Sequence, residues 1–350
     1  MEFNNLQEII VEENDAPYLN QVEKLLNEQG LKRDKDIEYT IAIENGEEII
    51  ATGSFGGNVL KCIAVNPEYR GMGILNMVIS NLISEEYRRG NTHLFIYTKP
   101  SNQKYFKDLG FYKIAEVPGH IVLFENRADG IKKYIDRLKK NNKQGKKIGS
   151  VVVNCNPFTL GHKYLIEKAS KESDVLHVFV VSEDRSLFPF KTRYALVKEG
   201  TKHLNNVTLH ESGDYIISNA TFPTYFIKDL SEAVKIHTLL DIEIFAKYIA
   251  PALGINKRFI GEEPICKITR IYNDTMKEML PRRGIEVEEI PRLVVDGQVV
   301  SASIVRQLIR EGNFQELRKL VPETTYNFII SREAEDIIKK STLYFNIAQN

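Results

Sequence analysis

The sequence predicts an α/β protein of two domains, an α+β domain first and then a Rossmann-like domain built on a parallel sheet. Length is one reason: at 350 residues the chain exceeds the size at which a single hydrophobic core stops growing. A change of pattern is the second. Up to about residue 125, a hairpin and further strands surround one strongly periodic helix. From Ile148 onward, short apolar strands alternate with helices, the order that a parallel sheet covered on both faces requires. The third is a pair of loop-to-helix motifs in the later region. Asn154-Cys155-Asn156-Pro157-Phe158-Thr159-Leu160-Gly161-His162 follows a Val-rich strand, and Val300-Ser301-Ala302-Ser303-Ile304-Val305-Arg306 lies far downstream.

Taken in order, residues 38–43 and 48–53 flank Asn45-Gly46, which tolerates positive φ at both central positions of a tight turn, so a β-hairpin is expected. A third strand covers 59–65. After Arg70-Gly71-Met72-Gly73, residues Ile74, Leu75, Val78, Ile79, Leu82 and Ile83 recur at helical spacing. A strand over 92–97 completes the first domain, residues 1–125. Residues 126–147 are expected to form a basic connector. Nine Lys or Arg residues lie between Asn126 and Ser150 against Asp129 and Asp136, while Ile131, Tyr134, Ile135 and Leu138 line one stripe of a short amphipathic helix. A mobile linker over 141–147 should follow. The second domain, 148–350, carries strands over 151–153, 175–182, 207–211, 258–261 and 285–290, with helices over 192–204 and 271–280.

Lys plus Arg equal Asp plus Glu at 47 each, so no global basic field points to a nucleic-acid partner. No apolar run approaches a membrane span, and Met1-Glu2-Phe3-Asn4-Asn5 lacks the basic and apolar regions of a leader, so a cytoplasmic protein without a membrane partner is expected. Cys62, Cys155 and Cys266 are far apart and odd in number, which fits a reducing compartment and offers neither a disulfide framework nor a metal knuckle. Cys155 falls in the first motif, yet no His or carboxylate can be set beside it from sequence, and packing is preferred to nucleophilic chemistry. His93, His120, His177, His203, His210 and His237 are read as structural.

The two motifs suit a phosphate chain because helix starts present backbone N–H groups and the positive end of the dipole. In this reading Gly161 allows close approach, Thr159 adds a hydroxyl, and His162 and Arg306 act on charge that grows as pyrophosphate leaves. Ser301 and Ser303 complete the second half of the cradle. Arg270 and Lys277, on one expected helix, and Asp184, after a strand end, are further candidates for phosphate, metal or substrate contact.

Arg70-Gly71-Met72-Gly73 opening a helix, with Asn102-Gln103-Lys104-Tyr105-Phe106 and Leu109-Gly110-Phe111 later, resembles the GNAT acetyltransferase fold. Leu75 stands where that family usually has Gly or Ala. The resemblance implies that Arg70, Gly71 and Gly73 hold the pyrophosphate of a coenzyme A-like arm. The second domain resembles the Thr/His-x-Gly-His nucleotidyltransferase superfamily. The whole chain resembles the citrate lyase ligase family, through the first motif extended to Leu165, Val181-Ser182-Glu183-Asp184-Arg185-Ser186-Leu187-Phe188-Pro189-Phe190, Ala220-Thr221-Phe222-Pro223-Thr224-Tyr225-Phe226, Gly261-Glu262-Glu263-Pro264 with Thr269-Arg270-Ile271-Tyr272-Asn273, and the second motif.

That resemblance implies an ATP-dependent acid–thiol ligase. It would form acetyl adenylate from acetate and then acetylate the thiol of the phosphoribosyl-dephospho-coenzyme A group on the acyl carrier subunit of citrate lyase. It further implies that His162, Thr159 and Arg306 are catalytic, that Asn156, Pro157, Phe158, Thr159, Gly161, His162, Gly261, Ser301, Ser303 and Arg306 bind ATP, and that Mg²⁺ accompanies the nucleotide without a tightly held protein metal. An adenylyltransferase acting on a phosphorylated cofactor precursor shares the same cradle and is the alternative.

Overall fold

Strands β1 (Leu6–Ile10), β2 (Tyr39–Asn45), β3 (Glu48–Gly56), β4 (Val59–Val65), β5 (Phe95–Thr98), β6 (Tyr112–Val117) and β7 (Ile121–Glu125) form one sheet in the order β1-β2-β3-β4-β5-β7-β6. The computed structural model describes residues 6–184, 186–222 and 233–347, and the chain divides into two units, Met1–Ile131 and Lys132–Asn350. Arg185 and residues 223–226 of the quoted motifs lie outside the described residues. The first unit is a mainly antiparallel sheet between helices α1 (Ala16–Glu28) and α2 (Ile74–Arg88), with a short helix α3 (Gln103–Asp108) ahead of β6. The Asn45-Gly46 turn joins β2 to β3, with Gly46 at φ 71°.

One pairing in this sheet is parallel. β4 and β5 meet only through Val59 with Phe95 and Leu60 with Ile96, although both strands continue, so they part toward their carboxyl ends. Gly73 begins α2 at φ 82° and Gly71 has φ 77°, conformations that cost most residues but not glycine. A Cβ at either position would meet open space.

The second unit holds β8 (Ile148–Val153), β9 (Val175–Val180), β10 (Val207–Glu211), β11 (Lys257–Gly261) and β12 (Glu286–Ile290) in the order β10-β9-β8-β11-β12, every pairing parallel. The strand order reverses between β8 and β11, and open parallel sheets bind their ligands outside the carboxyl ends of strands at such a reversal. Helices α5 (Leu160–Lys171) and α6 (Phe190–Thr201) cover one face, where Val151, Val153, Val178, Val180, Ile166 and Val197 are buried together. A short antiparallel pair, β13 (Val294–Val295) and β14 (Gln298–Val299), leads into the helix Ala302–Glu311 and three more helices.

The connector segment contains the short helix that its periodicity indicates. Helix α4 (Gly130–Lys139) has its apolar stripe packed: Tyr134 and Leu138 are buried, the Tyr134 ring lies tilted with its centroid 5.0 Å from that of Tyr215, and its hydroxyl donates to the Glu211 carbonyl. An amphipathic stripe left in water would forgo this burial. Nor is all of 141–147 loose, since the amides of Lys146 and Lys147 both donate to the Asp174 carboxylate.

Candidate functional site

The chain leaves β8 at Val153 and enters a loop in which Cys155 takes φ 53° and the Asn156–Pro157 bond is cis. Thr159 then starts α5. Its hydroxyl accepts from the His162 amide at 3.4 Å, while the Thr159 amide donates back to His162 Nδ1 at 3.1 Å, a reciprocal cap with His in the usual Glu or Gln position. The Leu160 amide donates to the Leu320 carbonyl at 2.9 Å.

This corrects the expectation of an amide-lined tip. Of the four amides from Thr159 to His162, three already serve Nδ1, a carbonyl and a hydroxyl, so the helix start offers few amides to an anion. Thr159 is only 1% exposed, and its hydroxyl works on the helix start and on His162.

The cap also fixes the imidazole. Because Nδ1 accepts an N–H, the neutral ring carries its proton on Nε2, leaving that edge as a donor. Burial, then the positive charges of Arg292 and Arg306, push the His162 pKa down to about 4. His162 is therefore a neutral hydrogen-bond donor at ordinary pH, not a cation.

The second motif meets the first. Ser301 caps the helix Ala302–Glu311 by accepting from the Ile304 amide at 3.2 Å. One turn along, Arg306 donates to the Asn156 carbonyl at 2.6 Å and to the Ser303 hydroxyl at 3.0 Å. A Cβ on Gly161 would stand 3.2 Å from the Val300 carbonyl, so glycine lets the two motifs approach closely without a shift of the neighbouring backbone. Part of the space that Gly161 is expected to open to phosphate is filled by Val300.

Other candidates are placed differently. Phe158 is fully buried, with its ring against Gly200, and Pro157 is buried too, so these side chains belong to the core and not to a ligand surface. Asn156 Oδ1 accepts from the Phe188 amide. Gly261 ends β11, its carbonyl accepting from Asn273 Nδ2 at 2.9 Å. Asp184 accepts from the Phe190 amide and lies 3.6 Å from Arg193, which ties it to the start of α6. Arg270 donates to the carbonyls of Glu263 and Pro264. Lys277, about two turns further along the helix Lys267–Met279, is ion-paired with Asp274 and Glu289. In the first unit, exposed Arg70 donates to Gln29 Oε1.

Two arginines at the site were not singled out by sequence. Arg193 is fully buried and donates to the carbonyls of Asn154, Val181, Glu183 and Phe188 and to Asn154 Oδ1, which binds together the loops that follow β8 and β9. Backbone carbonyls carry no sequence signal, so nothing could have revealed it. Arg292 stands two residues past the carboxyl end of β12, a position that could have flagged it. Burial pushes the Cys155 thiol far above its ordinary range, so it is no nucleophile.

A five-stranded parallel sheet, with a capped Thr-x-Gly-His helix start and a Ser-x-Ser-x-x-Arg helix start meeting at its reversal point, defines a nucleotidyltransferase-type α/β protein. The model for the citrate lyase ligase C-terminal domain matches residues 148–329, and the model for the acetyltransferase (GNAT) family matches residues 3–111. The chain is 41% identical over 314 residues to [citrate [pro-3S]-lyase] ligase of Escherichia coli strain K12, covering 88% of this chain and 89% of that one. It is 39% identical over 320 residues to the protein of the same name from Klebsiella pneumoniae, covering 90% and 94%. A phosphopantetheine adenylyltransferase of Streptococcus gordonii is 30% identical over 154 residues, covering 43% of this chain and 92% of that one. The chain belongs to the citrate lyase ligase family.

Proposed function

We propose that the chain is an ATP-dependent acid–thiol ligase that acetylates the thiol of the phosphoribosyl-dephospho-coenzyme A group on the acyl carrier subunit of citrate lyase, in the cytoplasm. The observation that carries this reading is the 2.6 Å bond from Arg306 to the Asn156 carbonyl, which sets the guanidinium of one motif on the loop that leads to His162. In the first step an acetate oxygen attacks the α-phosphorus of ATP, a P–O bond forms, and the bond to the β-phosphate breaks to release pyrophosphate. In the second, the carrier sulfur attacks the acyl carbon, AMP leaves with the C–O electron pair, and the thiol proton passes to solvent.

Acetate is already charged and needs no base, so the work is positioning and electrostatics. His162 Nε2–H and the Arg306 fork suit the phosphate oxygens on which charge accumulates, and both are held before the reaction begins, by the Thr159 cap and by Asn156 and Ser303. Among the described residues no group of three or more His, Cys, Asp or Glu is placed to hold a metal ion. Mg²⁺ would come with the nucleotide and neutralise its β- and γ-phosphates. Gly71 and Gly73, in open space at the start of α2 a few residues after β4 has parted from β5, fit the pyrophosphate and extended arm of the carrier's prosthetic group.

Exchange of labelled pyrophosphate into ATP tests the reading. Exchange that requires acetate is expected. Exchange that ignores acetate but needs phosphopantetheine or a similar precursor would replace it with the adenylyltransferase.

A further inference from the structure

Arg292 lies beside the cradle without belonging to either motif. Its neighbour Leu293 accepts a 2.9 Å bond from the Val300 amide, and Val300 is the residue whose carbonyl crowds Gly161. Arg292 is therefore one residue along the chain from the segment that pairs with Val300 and abuts the start of α5. Its Nε donates to the Glu262 carbonyl at 2.8 Å, and its Nη2 pairs with Glu263 Oε2. The same carboxylate's other oxygen accepts from the amides of Ile265 and Cys266, each at 3.0 Å, at the start of the helix Lys267–Met279.

An arginine fork recognises carboxylate and phosphate with one geometry. We infer that Arg292 is a third phosphate-binding side chain of the cradle and that Glu263 holds its place in the nucleotide-free chain, so that the phosphates of ATP and the Glu263 carboxylate compete for one guanidinium. The inference rests on the ATP reading above and adds a residue and a competitor to it. The pair is partly open, at 21% and 13% exposure, so an incoming anion can reach it. Arg292 acts on the His162 imidazole more strongly than Arg306 does, which agrees with its place at the same site. Glu263 keeps its two amides through Oε1 when Oε2 is released, so the exchange needs no unfolding of the loop.

Calorimetric titration of the full chain with ATP, inorganic pyrophosphate and adenosine tests this. Arg292→Gln should weaken ATP and pyrophosphate about 10- to 100-fold, as loss of one charge-assisted contact does, and leave adenosine unchanged. Glu263→Gln, which keeps the Oε1 acceptor, should tighten ATP by about 3- to 10-fold, and this gain should vanish in the double variant. Arg292→Lys provides the same contrast between ATP and adenosine if the Gln variant does not fold. Unchanged ATP affinity in the Arg292 variants, or an equal loss for adenosine, overturns the role of Arg292. No gain in Glu263→Gln overturns the competition. Failure of the unmodified chain to bind either ATP or pyrophosphate overturns the ATP reading, and this inference with it.

Discussion

Arg306 reaches back 150 positions to donate a 2.6 Å hydrogen bond to the carbonyl of Asn156. That bond makes one site of two motifs, and its loss should be felt in chemistry more than in stability. Arg306→Ala should lower acetate-dependent pyrophosphate exchange by about 10²- to 10³-fold, the usual effect of removing a preorganised donor to developing charge. The half-buried hydrogen bond itself contributes about 1 kcal/mol to folding. Steady-state exchange and urea unfolding on the same preparation separate the two, and a variant that loses stability without losing exchange contradicts the assignment.

His162 should show no titration near its ordinary pKa. Its folded value of about 4 keeps the ring neutral from roughly pH 5 upward. The pH profile of kcat/KM for ATP should therefore lack an imidazole inflection at about 6.5. His162→Asn, which keeps a donor, should retain more activity than His162→Ala. An inflection near 6.5 that disappears in both variants would contradict the fixed neutral ring.

Arg193 should be a stability residue. It is wholly buried, and its guanidinium meets four backbone carbonyls and one side-chain amide oxygen. Arg193→Met leaves these acceptors buried and unpaired, at a cost of about 3–5 kcal/mol. Denaturant unfolding measures this, and a loss below about 1 kcal/mol would show that water or a neighbour replaces the guanidinium.

Acid should weaken the second unit. His177 Nδ1 and His210 Nε2 are 2.9 Å apart on neighbouring strands β9 and β10, and burial pushes their pKa values down to about 4 and about 3. The folded chain thus binds fewer protons than the unfolded chain below pH 6.5. Stability is fully present above that value and is lost as pH falls toward 4. Thermal melts at pH 7.5 and 5 should show the drop, and His210→Phe should reduce the pH slope while costing about 1–3 kcal/mol at neutral pH through the unpaired His177. An unchanged slope would exclude this pair as its source.

Much of the fold was legible because it is written in local periodicity. The Asn45-Gly46 hairpin, the stripe from Ile74 to Ile83 and the alternating strands after Ile148 all appear, with ends displaced by a few residues, as with 92–97 against the observed Phe95–Thr98. Strand β1 escaped because it pairs with the distant β2, whereas β6 and β7 form a hairpin whose Pro118-Gly119 turn, with Gly119 at φ 78°, was a legible signal left unread. At the site, Thr159, His162, Ser301 and Arg306 could be read because caps and motifs have fixed spacing. Phe158 could not be told from a ligand contact, because only its packing against Gly200 reveals it as core. Arg193 and the Leu320 carbonyl were hidden for a different reason: backbone acceptors leave no trace in residue identity.

The Leu160 amide at the start of α5 is satisfied by the carbonyl of Leu320. A chain emerging from the ribosome therefore carries an unfinished site for some 160 residues after His162 has been made. The helix start is completed late in synthesis: a product released before Leu320 lacks the carbonyl that closes it, and one released before residue 306 lacks Arg306 as well, so interrupted translation should leave no finished site.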